Sequence, residues 1–378
     1  MYVLPLGAER ILCLSPVDSW ATGMWPRWEV GMIVKEAKAV AREWVLTQAS
    51  GMPGFWGTFY HGSANWLADD ATLSPTSDLD VMVVLADAEL PGKPGKLIYH
   101  DVMLEVSYLS RDELRSAESV LGQYHLAGSF HVPSIIADPT GQLTTLQAAV
   151  AKDYARRRHV YRRCEDARSR VRRNLQSLRE ADPFPDQVAA WLFAAGVTTH
   201  LLLVAGLKNP TVRRRYEATR ALLAEYGRLD FYERLLDLLG CAQMSRARAE
   251  LHLTALTDAF DAAKTVGTTP FFFSADISDL ARPVAIDGSR ELIARGDHRE
   301  AIFWMIATYA RCQKVLHHDA PPASWDRFEP GFHRLLADLG IESFADLQRR
   351  GERVRDFLPP LWDVAEAIIA ANPAIDGA

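Results

Sequence analysis

The chain has 378 residues, of which 48% are hydrophobic and 24% charged, and its formal net charge is −6. That balance excludes a disordered or fibrous chain, and the length allows two domains at about 100–200 residues each. The acidic total argues against a general nucleic-acid coat, so nucleic acid is not an expected partner. The four cysteines, Cys13, Cys164, Cys241 and Cys312, are scattered and form no CxxC pair. Neither a disulfide scaffold nor a zinc ribbon is expected, and a reducing cytoplasm fits. The opening MYVLPLGAER lacks the basic start and apolar core of a signal peptide. GxSxG, GxGxxG, HExxH and a P-loop Gly-Lys-Ser/Thr are absent, which argues against the serine hydrolase, Rossmann, zinc-protease and P-loop classes.

In chain order, residues 1–28 are rich in Pro, Gly and Trp and read as an irregular extension. Residues 29–50 read as a helix closed by Gly51 and Pro53. FWGTFYHGS reads as a strand running into a turn, ANWLADD as a short helix and TLSPTS as loop. LDVMVVL and VMLEVSYL are strand-like, and ADAELPGKPGK between them is turn-rich. From about Leu143 helical patterns dominate. Val160, Cys164, Ala167, Val171, Leu175 and Leu178 make one stripe of a helix expected to start near Ala151. Further helices are expected over 186–206, 211–226, 230–240, 245–266, 288–316, 330–338, 343–350 and 359–371. Residues 188–207 carry no formal charge and are long enough to cross a bilayer, but Thr198, Thr199 and His200 at the centre favour a buried core helix, and no membrane partner is expected. The expected fold is α+β: an α/β domain at 29–142 and a mainly helical domain at 143–378, divisible into lobes at 143–270 and 271–378.

The chemistry is concentrated in the α/β part. Asp78 and Asp80 stand at i and i+2 in SDLDVMVV, so on a strand both carboxylates face one side while Leu79, Val81 and Val83 face the other. Two carboxylates on one face repel unless a cation sits between them, and a hard divalent ion suits oxygen ligands. In DVMLEVSYL, Val102, Leu104, Val106 and Tyr108 alternate with Asp101, Met103, Glu105 and Ser107, which puts Glu105 mid-strand on the polar face. If this strand lies beside the first, Glu105 joins Asp78 and Asp80 at one site. Gly62-Ser63 follows a strand and offers backbone N–H groups and a hydroxyl to a phosphate.

HGS, then SDLDVMVV, then LEVSYL resembles the nucleotidyltransferase superfamily of DNA polymerase beta and the aminoglycoside nucleotidyltransferases. The resemblance implies a polymerase-beta-like domain in which Gly62 and Ser63 hold a nucleoside triphosphate. It implies that Asp78, Asp80 and Glu105 are the catalytic residues and bind magnesium, as two ions, with Glu105 also taking the proton of a hydroxyl acceptor. The implied reaction moves a nucleoside monophosphate to that acceptor and releases pyrophosphate. A small molecule such as an aminoglycoside is the first acceptor reading. A protein acceptor, modified with AMP in a toxin–antitoxin setting, is a second, and a catalytically silent nucleotide-binding regulator a third. The chain could form a homodimer. One departure is the long stretch between Ser63 and Asp78, which lacks the small-basic-Gly run often seen after the Gly-Ser turn and leaves open how the triphosphate is gripped.

Two other features have ordinary readings beside functional ones. Residues 156–179 hold ten arginines and only Glu165 and Asp166 as acids; they read as a solvated helix face or as triphosphate contacts. Arg311 and His317 in RCQKVLHH resemble the dyad of HEPN ribonucleases, but six residues span about 600° of helix, and a basic helix end explains them as well. His61 and Trp66, on either side of the Gly-Ser turn, are candidates for the nucleotide pocket or for local packing.

Overall fold

A computed structural model describes residues 32–87 and 89–376; the expected extension at 1–28 and Cys13 lie outside them. The fold is α+β, a mixed five-stranded sheet followed by helices. Helix α1 (Val34–Thr47) precedes strands β1 (Phe55–His61), β2 (Leu79–Leu85), β3 (Gly95–Tyr99) and β4 (Val102–Ser110). Short helices α2 (Ala117–Leu121) and α3 (Ala127–His131) lead to β5 (Ile135–Ala137) and α4 (Gln142–Asp153). The strand order is β3-β4-β2-β1-β5, with β2 and β4 parallel and the other neighbours antiparallel.

Strand alternation sorts the side chains as the sequence implies. Leu79, Val81, Val83, Leu104 and Val106 pack with Ala37, Ala41 and Val45 of α1. On the opposite face Phe59, Val84 and Leu109 pack with Phe130, Leu143 and Val150 of α3 and α4. The sheet is thus covered on both sides along most of its length. Its one polar stretch, at Asp80 and Glu105, lies on the α3 and α4 face.

Helices α5 (Arg157–Gln176), α6 (Phe184–Ala205), α7 (Arg215–Glu225), α8 (Leu229–Leu239) and α9 (Arg246–Val266) follow. The chain ends with α10 (Gly288–Ala294), α11 (His298–Asp319), α12 (Pro322–Asp338) and α13 (Phe344–Ala371). Their buried residues, from Val160 to Ile375, form one continuous apolar cluster. Helix α6 is the one described helix long and apolar enough to cross a membrane, and 83% of its most apolar stretch is buried within the protein. It packs against α5, α11 and α13 as a core helix.

Several elements differ from the sequence expectation, each for a local reason. The helix expected from Ala151 is two, α4 and α5. Around Arg156 the backbone is extended and bonds to the chain end: Arg157 N–H donates to the Asp376 carbonyl (3.1 Å) and Asp376 N–H to the Ala155 carbonyl (3.2 Å). The helix expected at 288–316 is broken by Gly296, whose φ of 96° is left-handed. The two helices expected at 343–350 and 359–371 are one. Pro359 is exposed, so the carbonyls that it and Pro360 leave unbonded, at Arg355 and Asp356, face water. ANWLADD yields only a 3-10 turn, Ser63–Trp66, and part of the turn-rich segment becomes β3.

Leu202→Ala, at a fully buried position in the last turn of α6, is expected to cost about 2–5 kcal/mol in urea unfolding.

Candidate metal and nucleotide site

The parallel pairing of β2 with β4 sets Asp80 opposite Glu105, and Asp78 is the residue just before β2. One carboxylate oxygen from each of the three lies within 4.8 Å of the others. All five residues singled out from the sequence, Gly62, Ser63, Asp78, Asp80 and Glu105, line one cavity of about 610 Å³ between the sheet and the helices. Gly62 continues β1 beside Asp80, with φ 68° and ψ −163°. A Cβ there would lie 1.8 Å from Asp80 Oδ2, so only glycine lets the turn close over that carboxylate.

Sequence reading missed the two lysines that neutralise the cluster. Lys96 Nζ donates to Asp78 Oδ2 and to Glu105 Oε2, and Lys93 Nζ donates to Glu105 Oε1. Lys96 stands directly opposite Glu105 in the β3–β4 pairing. The only signal was the pair of lysines in PGKPGK, which reads as a turn because of its prolines and glycines.

The charges respond to this crowding. Burial, then the neighbouring Asp78 and Glu105, push the Asp80 carboxyl well above the usual carboxylate range. Burial also raises Asp78, with Lys96 opposing. Burial acts on Glu105 in the same direction, but Lys96 and Lys93 outweigh it and hold Glu105 below that range. Burial alone would lower Lys96; Asp78 and Glu105 instead hold its proton more tightly than in water. The three carboxylates present hard oxygen donors at a spacing that suits a divalent cation, and the Lys96 ammonium bridges two of them. The donor set therefore fits magnesium if Lys96 turns aside.

Other lining residues come from both halves. His61 Nδ1 is 2.6 Å from Ser129 Oγ, and burial, then the His125 charge, bring its pKa down to about 4 against the pull of Glu105. Burial likewise lowers His125 and, more strongly, His200, whose Nε2 lies 2.8 Å from the Thr211 carbonyl. From the helical part of the chain come Arg213, Trp304 and an Arg311–Asp276 ion pair (2.9 Å).

The remaining sequence candidates fall elsewhere. Trp66 packs under α3, where a Cβ on Gly128 would lie 2.9 Å from its ring. None of the ten arginines at 156–179 is among the residues lining the cavity. Arg163 is buried and donates to the Tyr154 (2.8 Å) and Leu121 (3.3 Å) carbonyls, while Arg156, Arg162, Arg168, Arg172, Arg173 and Arg179 meet nearby acids. Arg311 and His317 do not converge: Arg311 lines the cavity, and the His317 ring lies tilted against Trp325 at 4.5 Å between ring centres.

No known family model matches the chain, and no curated protein matches it.

Gly62→Ala is expected to leave the protein folded while weakening manganese binding by about ten- to a hundredfold, measured by calorimetry. Lys96→Ala removes the internal countercharge of the acids. It is expected to lower stability in chelator by about 1–3 kcal/mol and to enlarge the thermal shift on adding magnesium relative to the wild type.

Proposed function

We propose that this chain is a nucleotidyltransferase with a polymerase-beta-like domain, moving a nucleoside monophosphate from a nucleoside triphosphate to a hydroxyl acceptor. The observation that carries the reading is the convergence of Asp78, Asp80 and Glu105 beside the Gly62-Ser63 turn on one cavity wall. Each feature alone is common; a phased third acid, a glycine fitted against one carboxylate and a shared cavity are not required by packing.

In this reading Asp78, Asp80 and Glu105 hold the magnesium ions. When bound, the ions supply positive charge to the phosphates and to the attacking oxygen. Ser63 and the backbone after Gly62 seat phosphate oxygens. Glu105 takes the acceptor's hydroxyl proton as the new oxygen–phosphorus bond forms at the α-phosphate. The bond from that phosphorus to the β-phosphate oxygen breaks, and pyrophosphate leaves. Lys96 and Lys93, released from the acids, turn their ammonium groups to the phosphates.

The acceptor occupies the rest of the cavity. Asp276 is the one lining carboxylate outside the triad among the described residues, and Arg311 already pairs with it. Burial lowers the pKa of the His61, His125 and His200 imidazoles, which disfavours positive charge on them. This pattern favours a neutral or anionic hydroxyl compound over a polycation such as an aminoglycoside. The silent-regulator reading is favoured by one observation, the Lys96 ammonium in the place where a cation would bridge Asp78 and Glu105.

The two readings separate in a pyrophosphate-release assay with magnesium, each of the four ribonucleoside triphosphates and a panel of hydroxyl acceptors. The transferase reading expects acceptor-dependent release that falls by about a hundredfold or more in Asp80→Asn. Nucleotide binding without release under any condition supports the regulator, and release retained in Asp80→Asn sinks the metal assignment.

A further inference from the structure

The basic residues of the cavity are, among the described residues and with one exception, paired. Lys93 and Lys96 meet the acids, Arg311 meets Asp276, and Arg214 donates to Glu217 through Nε (2.7 Å) and Nη2 (2.6 Å). Arg213 is the exception: among the described residues no carboxylate lies within 4 Å of its guanidinium. Its polar contacts are two long ones, Nη1 and Nη2 to Thr76 Oγ1 at 3.5 and 3.4 Å. Thr76 in turn donates to Glu291 Oε2 at 2.8 Å, and burial lowers the Arg213 pKa against the pull of Glu291 and Asp78. A half-buried guanidinium with five donors and no anion in contact is a costly arrangement unless an anion is supplied.

The protein also shapes a seat for this group. A Cβ on Gly288 would lie 1.4 Å from Arg213 Nη1 and 2.6 Å from its Cζ, so the guanidinium rests against bare backbone at the start of α10. That backbone follows a π-helical turn, Pro283–Asp287, whose Val284 and Ala285 also line the cavity. π turns inside helical segments are rare and recur at functional sites. Arg213 itself comes from the loop between α6 and α7, while Thr76 stands two residues before Asp78. The free guanidinium therefore spans the gap between the helices and the acid cluster.

We propose that Arg213 and the Gly288 seat form an oxyanion site that binds phosphate oxygens on the helical side of the cavity. Under the nucleotidyl-transfer reading, on which this assignment of the ligand rests, those oxygens belong to the polyphosphate of the donor. Guanidinium geometry suits two phosphate oxygens at once, so a polyphosphate reaching from the Gly62-Ser63 turn to Arg213 would be held by both halves of the protein. The site also supplies from the helical part the cationic grip that is missing from the sequence after Ser63.

The test is calorimetric titration of the full chain with magnesium and inorganic triphosphate, and separately with inorganic phosphate. The variants are Arg213→Gln, Arg213→Lys, Gly288→Ala and, as a charge control, Arg214→Gln, each checked for folding by its melting temperature. Arg213→Gln is expected to weaken triphosphate binding by about ten- to a hundredfold, with a smaller loss in Arg213→Lys. Gly288→Ala, which keeps the charge but displaces the group, is expected to behave like Arg213→Gln, and Arg214→Gln like the wild type. Loss of inorganic phosphate binding in Arg213→Gln, with triphosphate binding unchanged, supports the oxyanion site but assigns it to an anionic acceptor. Equal binding of both probes by wild type and Arg213→Gln overturns the inference and leaves the transfer reading standing. If the wild type binds neither probe, both fall.

Discussion

Three carboxylates within one pocket cannot all stay charged without a cation among them, and that constraint organises the sheet half of the protein. The parallel register of β2 and β4 forces Asp80 and Glu105 together, and Asp78 adds a third charge at the strand entrance. The chain answers with Lys96, delivered by an edge strand whose pairing puts it opposite Glu105. An ammonium ion on a flexible stem is a countercharge that can leave. The same cluster can therefore be stable without a metal and still fit one, with Lys96 set free to meet phosphate.

The helical half supplies what the sheet cannot. Its single apolar core, built around α6, is rigid scaffolding. The chemistry it offers comes from the segments between helices: the loop carrying Arg213, the turn carrying Asp276 and the π turn before Gly288. The two halves are joined by the bond from Arg163 to the Leu121 carbonyl and, at Thr76 on the cavity wall, by the bond from Thr76 to Glu291. A ligand that bridges the cavity would add to the second contact, which rests on few groups.

The acid triad and the Gly-Ser turn were legible in the sequence because strand alternation has a period of two and needs only neighbouring residues to be read. The central helix was legible for a similar reason: an uncharged stretch of that length must be buried or lie in a membrane. Lys93, Lys96 and Arg213 were not legible. Their partners are 9 to 18 residues away in the case of the lysines and 137 in the case of Arg213, across a strand hidden by Pro and Gly and across the whole sheet–helix boundary. The break between α4 and α5 and the continuity of α13 through Pro359 and Pro360 were likewise decided by distant backbone partners or by solvent, which no local pattern records, whereas the break between α10 and α11 has a local mark, Gly296.

The central claim is that Asp78, Asp80 and Glu105 hold a divalent cation in place of the Lys96 ammonium. Electron paramagnetic resonance of free manganese, titrated into the wild type and into Asp80→Asn, tests it directly. The account predicts saturable loss of the free-ion signal with at least one ion bound per chain in the wild type, and none in Asp80→Asn. A wild-type titration indistinguishable from that of Asp80→Asn would show that the lysines are the permanent partners of these acids, and would contradict the account.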